Sequence, residues 1–362
     1  MLGSEAIKAA VKMSEIPVDE VDELQMGNVL SAGTGQHPSR QAALWAGMPL
    51  DLPTSSVNKV GSSGLKSIML MAQAIKCGTI DTAIAGGFES MSNVPFYIRR
   101  EKIPLGGCQL MDGLVVDAST DVYYKFHMGT CAEHIAVKLG ITREDQDQYA
   151  IESYKKCAKY SELMTKMEIT PVEIPATETE PAKIVVEDEE FRQLNIEQLN
   201  TLPPMYQKEF GTITIGNSAT PNDGAAATVI ASGKTVKQHN LKPLARIVAF
   251  ADAEVDPVDF PLAPTFAIPK VLNLAGIKKE QITMWEINEP FSVTALANIK
   301  IMEIDPQLVN IHGGSISLGH PLGMTGTRLV NKLSLYMKSG EYGLASCCNG
   351  GGGASAILVQ KI

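Results

Sequence analysis

The chain has 362 residues, 44% of them hydrophobic and 20% charged, which is typical of a globular protein with room for two or three domains. Its formal net charge is -9 at pH 7 and the sequence has no run of Lys and Arg, which argues against a nucleic-acid-binding protein. No apolar stretch reaches the roughly 18 residues of a membrane-spanning helix, and we expect no membrane segment.

The cysteines and the first residues bear on the cellular compartment. None of the six cysteines has CxxC or metal-ligand spacing, so we interpret them as reduced thiols of an intracellular protein: Cys77, Cys108, Cys131, Cys157, Cys347 and Cys348. The first twelve residues predict the start of a helix and lack the Arg- and Ser-rich composition of a transit peptide. We therefore expect a cytoplasmic protein if Met1 is the true start.

Strands and helices alternate over the first 90 residues. The pattern predicts helices over 3–13 and 41–47 and strands over 24–30 and 82–85, the last strand ending at Gly86-Gly87. A short strand near residue 56 turns through Gly61-Ser62-Ser63-Gly64 into an apolar helix that ends near Cys77. This helix is too short to cross a membrane and should be buried in a domain. The alternation favours a parallel sheet covered by helices.

The turn at Gly61 has the surroundings of a nucleophile. The unpaired N–H groups at a helix N-terminus favour negative charge, and a thiolate there would have a lowered pKa. Residue 61 is glycine, however, and carries no side chain.

The middle of the chain differs in composition and in predicted secondary structure. Residues 93–200 are rich in prolines and charges, with helices predicted over 131–139 and 145–164 and an acidic polar stretch over 171–190. A sheet-like pattern returns over 218–232. We expect an inserted domain over 91–218, which interrupts an N-terminal half made of 1–90 and 219–235.

The last part of the chain, 236–362, loosely repeats the first. Strands are predicted over 244–250, 283–287, 309–311, 342–347 and 355–360, and helices over 291–302 and 324–339. The repetition predicts an α/β fold made of two similar αβα halves.

Four short motifs together carry a family resemblance. NKVGSSGLK, around Gly61, resembles the nucleophile motif of the thiolase family, in which a cysteine follows NKV. The other three are similar to the family's NEAF segment, its GHP histidine loop and its C-terminal CxG loop: Asn288–Phe291, Gly313–Pro321 and Cys348–Gly353. His127-Met128-Gly129 and the run 243–264 resemble its mitochondrial acetoacetyl-CoA branch in particular.

The resemblance implies a fold and an activity. The expected fold is a five-layered αβαβα core with a loop domain that covers the active site. The expected function is that of an acetyl-CoA C-acetyltransferase, which needs no cofactor and binds acyl-CoA and CoA. It also implies a mitochondrial homodimer or homotetramer.

The resemblance assigns site residues position by position. His320 matches the histidine that activates the nucleophile, Cys348 the cysteine that exchanges the α-proton, and Asn288 the residue that holds an oxyanion-hole water. The backbone N–H groups of Gly61 and Gly350 match a second oxyanion hole. Substrate and CoA positions are matched by His127, Met128, Tyr154, Ala219, Phe260 and Phe291. A potassium site of the mitochondrial branch is matched by Tyr154 and by the backbone carbonyls of Ile215, Gly216, Ser218 and Ile316.

Several positions depart from the family. Gly61 replaces the acyl-accepting cysteine, Pro290 replaces an alanine, and Ala219 replaces a serine that contacts the pantetheine arm of CoA. By this resemblance the sequence lacks the family's first strand, which we expect to be a central strand flanked by 24–30 and 82–85. Either the natural chain extends upstream of Met1, or the neighbouring strands close the gap. If these two strands stay apart, a slot should remain between them; if they pair directly, the Gly61 turn should shift relative to His320 and Cys348.

Two hypotheses of function remain open. The chain is either an acetyltransferase-type enzyme, severely impaired or retaining a cysteine-independent reaction, or a non-catalytic protein that binds CoA esters or assembles with an active thiolase. A histidine before a proline, or a cysteine after a strand, is by itself more often structural than catalytic. The four motifs together favour a retained site.

Overall fold

The structure is a computed structural model that describes residues 1–100, 102–176, 178–179 and 181–362. The helices are α1 Leu2–Ser14, α2 Pro38–Trp45, α3 Ser63–Lys76, α4 Met128–Leu139, α5 Arg143–Glu168, α6 Gly233–Gln238, α7 Pro264–Ala275, α8 Ser292–Met302, α9 Ser315–Leu318 and α10 Leu322–Tyr336. The strands are β1 Glu23–Gly27, β2 Thr54–Val57, β3 Thr82–Ser90, β4 Phe96–Tyr97, β5 Met111–Asp112, β6 Val172–Ile174, β7 Lys183–Val185, β8 Asp223–Ala231, β9 Ala245–Glu254, β10 Ile282–Ile287, β11 Tyr342–Asn349 and β12 Gly353–Lys361.

Two four-stranded sheets form the core. The first has the order β2-β1-β3-β8, and the second has the order β10-β11-β12-β9. In each sheet a parallel pair, β1–β3 or β10–β11, is followed by an antiparallel one, β3–β8 or β11–β12. In the first half β1 pairs in parallel with β3, and in the second half β10 pairs in parallel with β11, so the two halves are similar, as the sequence predicts.

Helices cover both sheets and separate them. Between the sheets, α3 and α10 bury Leu65, Ile68 and Leu333 against residues of both, such as Ala83 and Ile357. Outside the first sheet, α1 and α2 bury apolar residues against β1 and β3. Outside the second sheet, α7 packs against the strands of that sheet, including Trp285 of β10. The order helix, sheet, helix, sheet, helix confirms the expected five-layered thiolase-type architecture.

Strand β3 continues through the two glycines at which it was expected to end. A β-carbon on Gly87 would lie 1.8 Å from the carbonyl oxygen of Gly323, and one on Gly86 would lie 2.4 Å from that of Ala226. Gly87 therefore lets the start of α10 approach the strand closely, and Gly86 leaves room for the backbone of β8; neither glycine ends the strand.

The expected slot in the first sheet does not exist. Leu24 pairs directly with Ile84 and Met26 with Gly86, so β1 and β3 are neighbours. In the second half the equivalent strands β10 and β11 are also direct neighbours, while the leading strand β9 lies at the edge, paired with β12. Of the two expected outcomes, direct pairing of these strands is the one observed. The outer edge of β8 is unpaired among the described residues.

Two predicted strands are shorter than expected because side chains replace backbone partners. After Gly27, the backbone N–H groups of Val29 and Leu30 donate to the buried carboxylate of Glu89, at 3.1 and 2.9 Å. The predicted strand 309–311 is only a single bridge between Val309 and Trp285. There the amide side chain of Asn310 bonds both the N–H and the carbonyl of Ile287.

The segment between β3 and β8 contains α4, α5 and the two small hairpins β4–β5 and β6–β7. Helix α5 begins with a capping box in which the side chains of Thr142 and Asp145 bond each other's backbone N–H groups. Over the described ranges, no helix combines the length and apolar character needed to cross a membrane.

Candidate active site

The Gly61 turn is tied to the second half of the molecule. Gly61 lies between β2 and α3 and is buried. The hydroxyl of Ser62 donates to the carbonyl of Cys347 at 2.6 Å, and the thiol of Cys347 donates to the carbonyl of Gly61 at 3.0 Å. These two reciprocal bonds hold the N-terminus of α3 against strand β11.

A side chain at residue 61 would extend toward a histidine. A β-carbon on Gly61 would lie 3.3 Å from Nε2 of His320 and 3.0 Å from the carbonyl oxygen of Cys348. The turn has therefore kept its place beside both residues, although β1 and β3 pair directly. A nucleophilic side chain at residue 61 would begin within reach of the imidazole.

The hydrogen bonds of His320 define its tautomer. Nδ1 lies 2.7 Å from the hydroxyl oxygen of Thr325, and that hydroxyl donates to the carbonyl of Pro321 at 3.1 Å. Because the hydroxyl proton is used, Nδ1 is the donor to Thr325 and Nε2 carries the lone pair. Burial lowers the pKa of His320 to about 4, so the ring is neutral at pH 7. A neutral imidazole with its free nitrogen facing residue 61 can act as a base.

Asn288 lies on the other side of His320. Its Nδ2 is 3.3 Å from Nε2 of His320, and its Oδ1 accepts a hydrogen bond of 2.6 Å from the hydroxyl of Ser315. Its backbone N–H donates to the carbonyl of Ser346 at 2.9 Å. The amide is thus oriented with its donor toward the histidine.

The adjacent Glu289 joins the segment of Asn288 to the loop that leads to His320. Its fully buried carboxylate accepts bonds from the Tyr149 hydroxyl at 2.8 Å, the Asn310 amide at 2.5 Å and the Ser153 hydroxyl at 3.1 Å. It also accepts from the backbone N–H of Ile316 at 3.3 Å, in the loop that leads to His320.

Cys348, next to the last residue of β11, is buried among apolar side chains. It is 3% exposed and packs in one cluster with Phe260, Phe291 and Cys131, against which Met128 also packs. Burial raises the pKa of the Cys348 thiol to about 12 and raises that of Cys347 as well. Both thiols are therefore protonated at pH 7.

Met128 lies next to the Gly350 turn, beside the apolar residues that pack around Cys348. A β-carbon on Gly350 would lie 3.7 Å from Val60 and 3.8 Å from Met128, so the Gly350 turn is next to the Gly61 turn. His127, which precedes Met128, stacks on Tyr206 with ring centroids 4.6 Å apart. Burial lowers the pKa of His127.

Ala219 lies beside the Asn288 segment. Its N–H donates to the carbonyl of Pro290 at 3.0 Å, and Ser218 forms a bridge with Phe291. The hydroxyl of Ser218 donates to the carbonyl of Thr214. The hydroxyl is thus engaged locally and does not replace the side chain that residue 219 lacks.

Comparison with known proteins agrees with this geometry. The family model of the thiolase N-terminal domain matches residues 1–234, and that of the thiolase C-terminal domain matches residues 241–361. The chain belongs to the thiolase family. It is 54% identical to acetyl-CoA acetyltransferase B, mitochondrial, of Xenopus laevis over 362 residues, which cover all of this chain and 86% of the relative. The human mitochondrial acetyl-CoA acetyltransferase is 52% identical, with 100% and 84% covered.

A solved thiolase shares the whole architecture. The crystal structure of a thiolase from Ascaris suum in complex with coenzyme A superposes with a TM-score of 0.95 and 44% sequence identity. The match covers all of this chain and 93% of that one.

The potassium candidates of this thiolase lie around one helix. Tyr154 on α5 is buried with Ala150, Leu199 and Ile316 in a single cluster. Helix α5 also contacts the turn 215–217, which contains Ile215 and Gly216. Among the described residues, no group of His, Cys, Asp and Glu side chains could hold a metal ion. Any cation there would depend on the tyrosine and on backbone carbonyls, which are suitable ligands for a hard monovalent ion.

Three thiolase site residues were missed by reading the sequence. Thr325 fixes the tautomer of His320, Ser315 orients Asn288, and Tyr206 stacks on His127. Thr325 follows His320 in the first turn of α10, a signal that a search for hydroxyl partners near the histidine could have found. Tyr206 is in an irregular stretch without such a signal.

Proposed function

We propose that this protein binds acyl-CoA thioesters in the cleft between its two halves, as an acetyl-CoA C-acetyltransferase-type thiolase for acetoacetyl-CoA that lacks the usual nucleophile. The position of residue 61, 3.3 Å from Nε2 of His320 by its β-carbon, carries the proposal. The site is assembled there, but the side chain that would accept the acyl group is missing.

Covalent acyl transfer should be severely impaired. A thiolase reaction through an acyl-enzyme needs a thiolate at the helix N-terminus. Cys347 and Cys348 are the nearest thiols, and burial keeps both protonated. Cys347 also donates its proton to the carbonyl of Gly61, which orients its sulfur into the protein.

The remaining residues support binding and proton transfer. We assign His320 the role of base, Asn288 that of holding a water at the thioester oxygen, and Cys348 that of exchanging a proton with the α-carbon. The backbone N–H groups of residues 61 and 350 would hold the other oxyanion, since a glycine keeps its N–H. Met128, His127, Phe260, Phe291 and Ala219 would line the path of the acyl and pantetheine groups.

A second candidate is a non-catalytic role as a CoA-ester-binding pseudoenzyme or as the partner subunit of an active thiolase. The combination of Gly61 and Ala219 favours it, because one removes the nucleophile and the other a contact to the substrate arm. In both cases we infer a mitochondrial location from the relatives, a homodimer or homotetramer, and a potassium ion at Tyr154.

Mass spectrometry after incubation with acetoacetyl-CoA tests the proposal. The protein should show no acetyl adduct and a rate of thiolysis lower by several orders of magnitude than that of its Gly61→Cys variant. The variant should gain the adduct on residue 61, because its sulfur would begin beside His320. Normal thiolysis by the unsubstituted protein, with a stable acetyl label on Cys348, would contradict the proposal. An inactive Gly61→Cys protein that still binds CoA would favour the pseudoenzyme.

A further inference from the structure

Nε2 of His320 faces the side of residue 61 from which a side chain would extend, and Gly61 places none there. The lone pair of this nitrogen follows from the bond that Nδ1 gives to Thr325. The amide of Asn288 approaches the same nitrogen at 3.3 Å, at the long end of the hydrogen-bond range. The nitrogen can therefore accept a second, shorter hydrogen bond from the direction of residue 61.

A second acceptor faces the same position. The carbonyl oxygen of Cys348 would lie 3.0 Å from a β-carbon on residue 61, compared with 3.3 Å for Nε2 of His320. A water cannot lie as close to the α-carbon of Gly61 as a bonded β-carbon would, so it would lie farther out on the same side. From there its two protons can be directed to the two acceptors. A water held in this way keeps a lone pair free, which can point toward an acyl group bound in the cleft.

We propose that this site catalyses the hydrolysis of short acyl-CoA thioesters, with water in place of the cysteine nucleophile and His320 as its base. The inference rests on the proposed function, because it needs a CoA thioester in the cleft. The loss of the cysteine sulfur leaves water as the nucleophile at this position. In a protein with the cysteine, the acyl group would pass to the sulfur instead.

The proposed step balances without any further reactant. The water oxygen forms a bond to the thioester carbonyl carbon while its proton passes to Nε2 of His320. The tetrahedral oxyanion is held by backbone N–H groups of residues 61 and 350 and collapses with cleavage of the C–S bond. The proton on His320 then passes to the departing thiolate. The products are a carboxylic acid and free CoA, and no atom changes its oxidation state.

Three proteins separate this reaction from background hydrolysis. His320→Gln removes the base and keeps a side chain of similar reach. Gly61→Ala adds a methyl group on the side of residue 61 where the water would lie. It needs no left-handed backbone conformation, since residue 61 has no positive φ. Gly61→Cys restores the sulfur and should divert acetoacetyl-CoA to thiolysis.

The experiment follows acetyl-CoA in water enriched with oxygen-18. We expect the unsubstituted protein to release CoA at least about 10²-fold faster than His320→Gln, the usual contribution of a general base. The acetate formed should contain one oxygen-18 atom. Gly61→Ala should lose the activity to a similar extent, and melting curves will show whether it folds; if it does not, the comparison with His320→Gln decides alone.

Calorimetric binding of CoA distinguishes the two proposals. Binding of CoA with release no faster than that of His320→Gln would overturn hydrolysis and leave the proposed CoA site standing. No binding of CoA at millimolar concentration would overturn both. Full activity of a folded Gly61→Ala protein would overturn the placement of the water.

Discussion

The carboxylate of Glu289 fills the space that a side chain on Gly314 would occupy. A β-carbon on residue 314 would lie 2.4 Å from the carboxyl carbon of Glu289 and 2.5 and 2.6 Å from its two oxygens. The backbone of Gly314 is extended, with φ at -138°, so space alone and not conformation requires glycine there. This contact joins the segment of Asn288 to the loop of His320.

Gly314→Ala should therefore displace the buried carboxylate and lower the stability of the protein. We expect a loss of about 1–3 kcal/mol from overpacking, and more if the bonds to Tyr149 or Asn310 break. Urea unfolding measures the loss. Gly233→Ala is the matched control, because its β-carbon would meet nothing within 4 Å. Equal effects of the two substitutions would show that Glu289 can move aside freely.

A buried pair should make the stability of the protein depend on pH. Glu286 is fully buried, and Nζ of Lys332, itself 1% exposed, lies 3.6 Å from its Oε2. Burial raises the pKa of Glu286 from 4.5 to about 7, and Lys332 opposes the shift. The folded protein then retains a proton that the unfolded chain releases. The stability that this provides is fully present below pH 4.5 and is lost as the pH rises through 7.

Glu286→Gln removes this titration. Between pH 5 and pH 8 the unsubstituted protein should lose about 2–3 kcal/mol more unfolding free energy than the variant, at 1.36 kcal/mol for each pKa unit. Urea denaturation at both values measures the difference. Glu162→Gln on the exposed face of α5 is the control and should follow the unsubstituted protein. Parallel pH profiles for all three proteins would show that Glu286 does not titrate in this range.

We propose that exposed apolar side chains in the segment after β3 contact another subunit in the proposed tetramer. Ile103 is 58% exposed and Phe96 is 65% exposed, and Leu105 is fully exposed. Exposed apolar surface can mark an interface when the side chains adjoin. Replacing Ile103 and Leu105 together with glutamate should convert tetramers to dimers in sedimentation velocity at micromolar concentration. Leu274→Glu, on the outer helix α7, is the control. A monomer in the absence of any substitution would refute the predicted assembly.

Potassium should stabilise the protein through Tyr154. At a potassium concentration ten times the dissociation constant, binding to the folded state alone adds about 1.4 kcal/mol. Tyr154→Phe should lose this gain, measured as the change in melting temperature when KCl replaces NaCl at equal ionic strength. Tyr160→Phe, on the same helix, should keep it. A similar response to KCl in all three proteins would place any potassium effect elsewhere.

The family resemblance, and not the local sequence pattern, predicted which segments belong to the candidate site. The Gly61 turn, Asn288 and the His320 loop each occur where a strand or turn meets a helix, and all three meet in the structure. The repeated pattern of strands and helices predicted two similar αβα halves, and the resemblance added their five-layered arrangement. The partners that orient these residues, such as Thr325 and Ser315, are ordinary hydroxyls that only the folded geometry selects.

Strand order could not be predicted in the same way. Whether β1 pairs with β3 depends on contacts between residues about 60 positions apart, such as Leu24 and Ile84, which no local pattern encodes. The end predicted for β3 at Gly86-Gly87 failed for a related reason. A glycine that breaks a strand and a glycine that admits a neighbouring helix look alike in one sequence.

The open outer edge of β8 makes the two halves unequal in how readily they should open. In the second half, β12 is paired on both sides, by β11 and β9, and seven of its residues in succession are buried. In the first half, β8 is paired only with β3 among the described residues, and most of its residues are partly exposed. Fluctuations short of global unfolding begin where backbone pairing is weakest. The half that holds Gly61 should therefore loosen before the half that holds His320 and Cys348, so that on warming the cleft is lost while the second sheet is still folded.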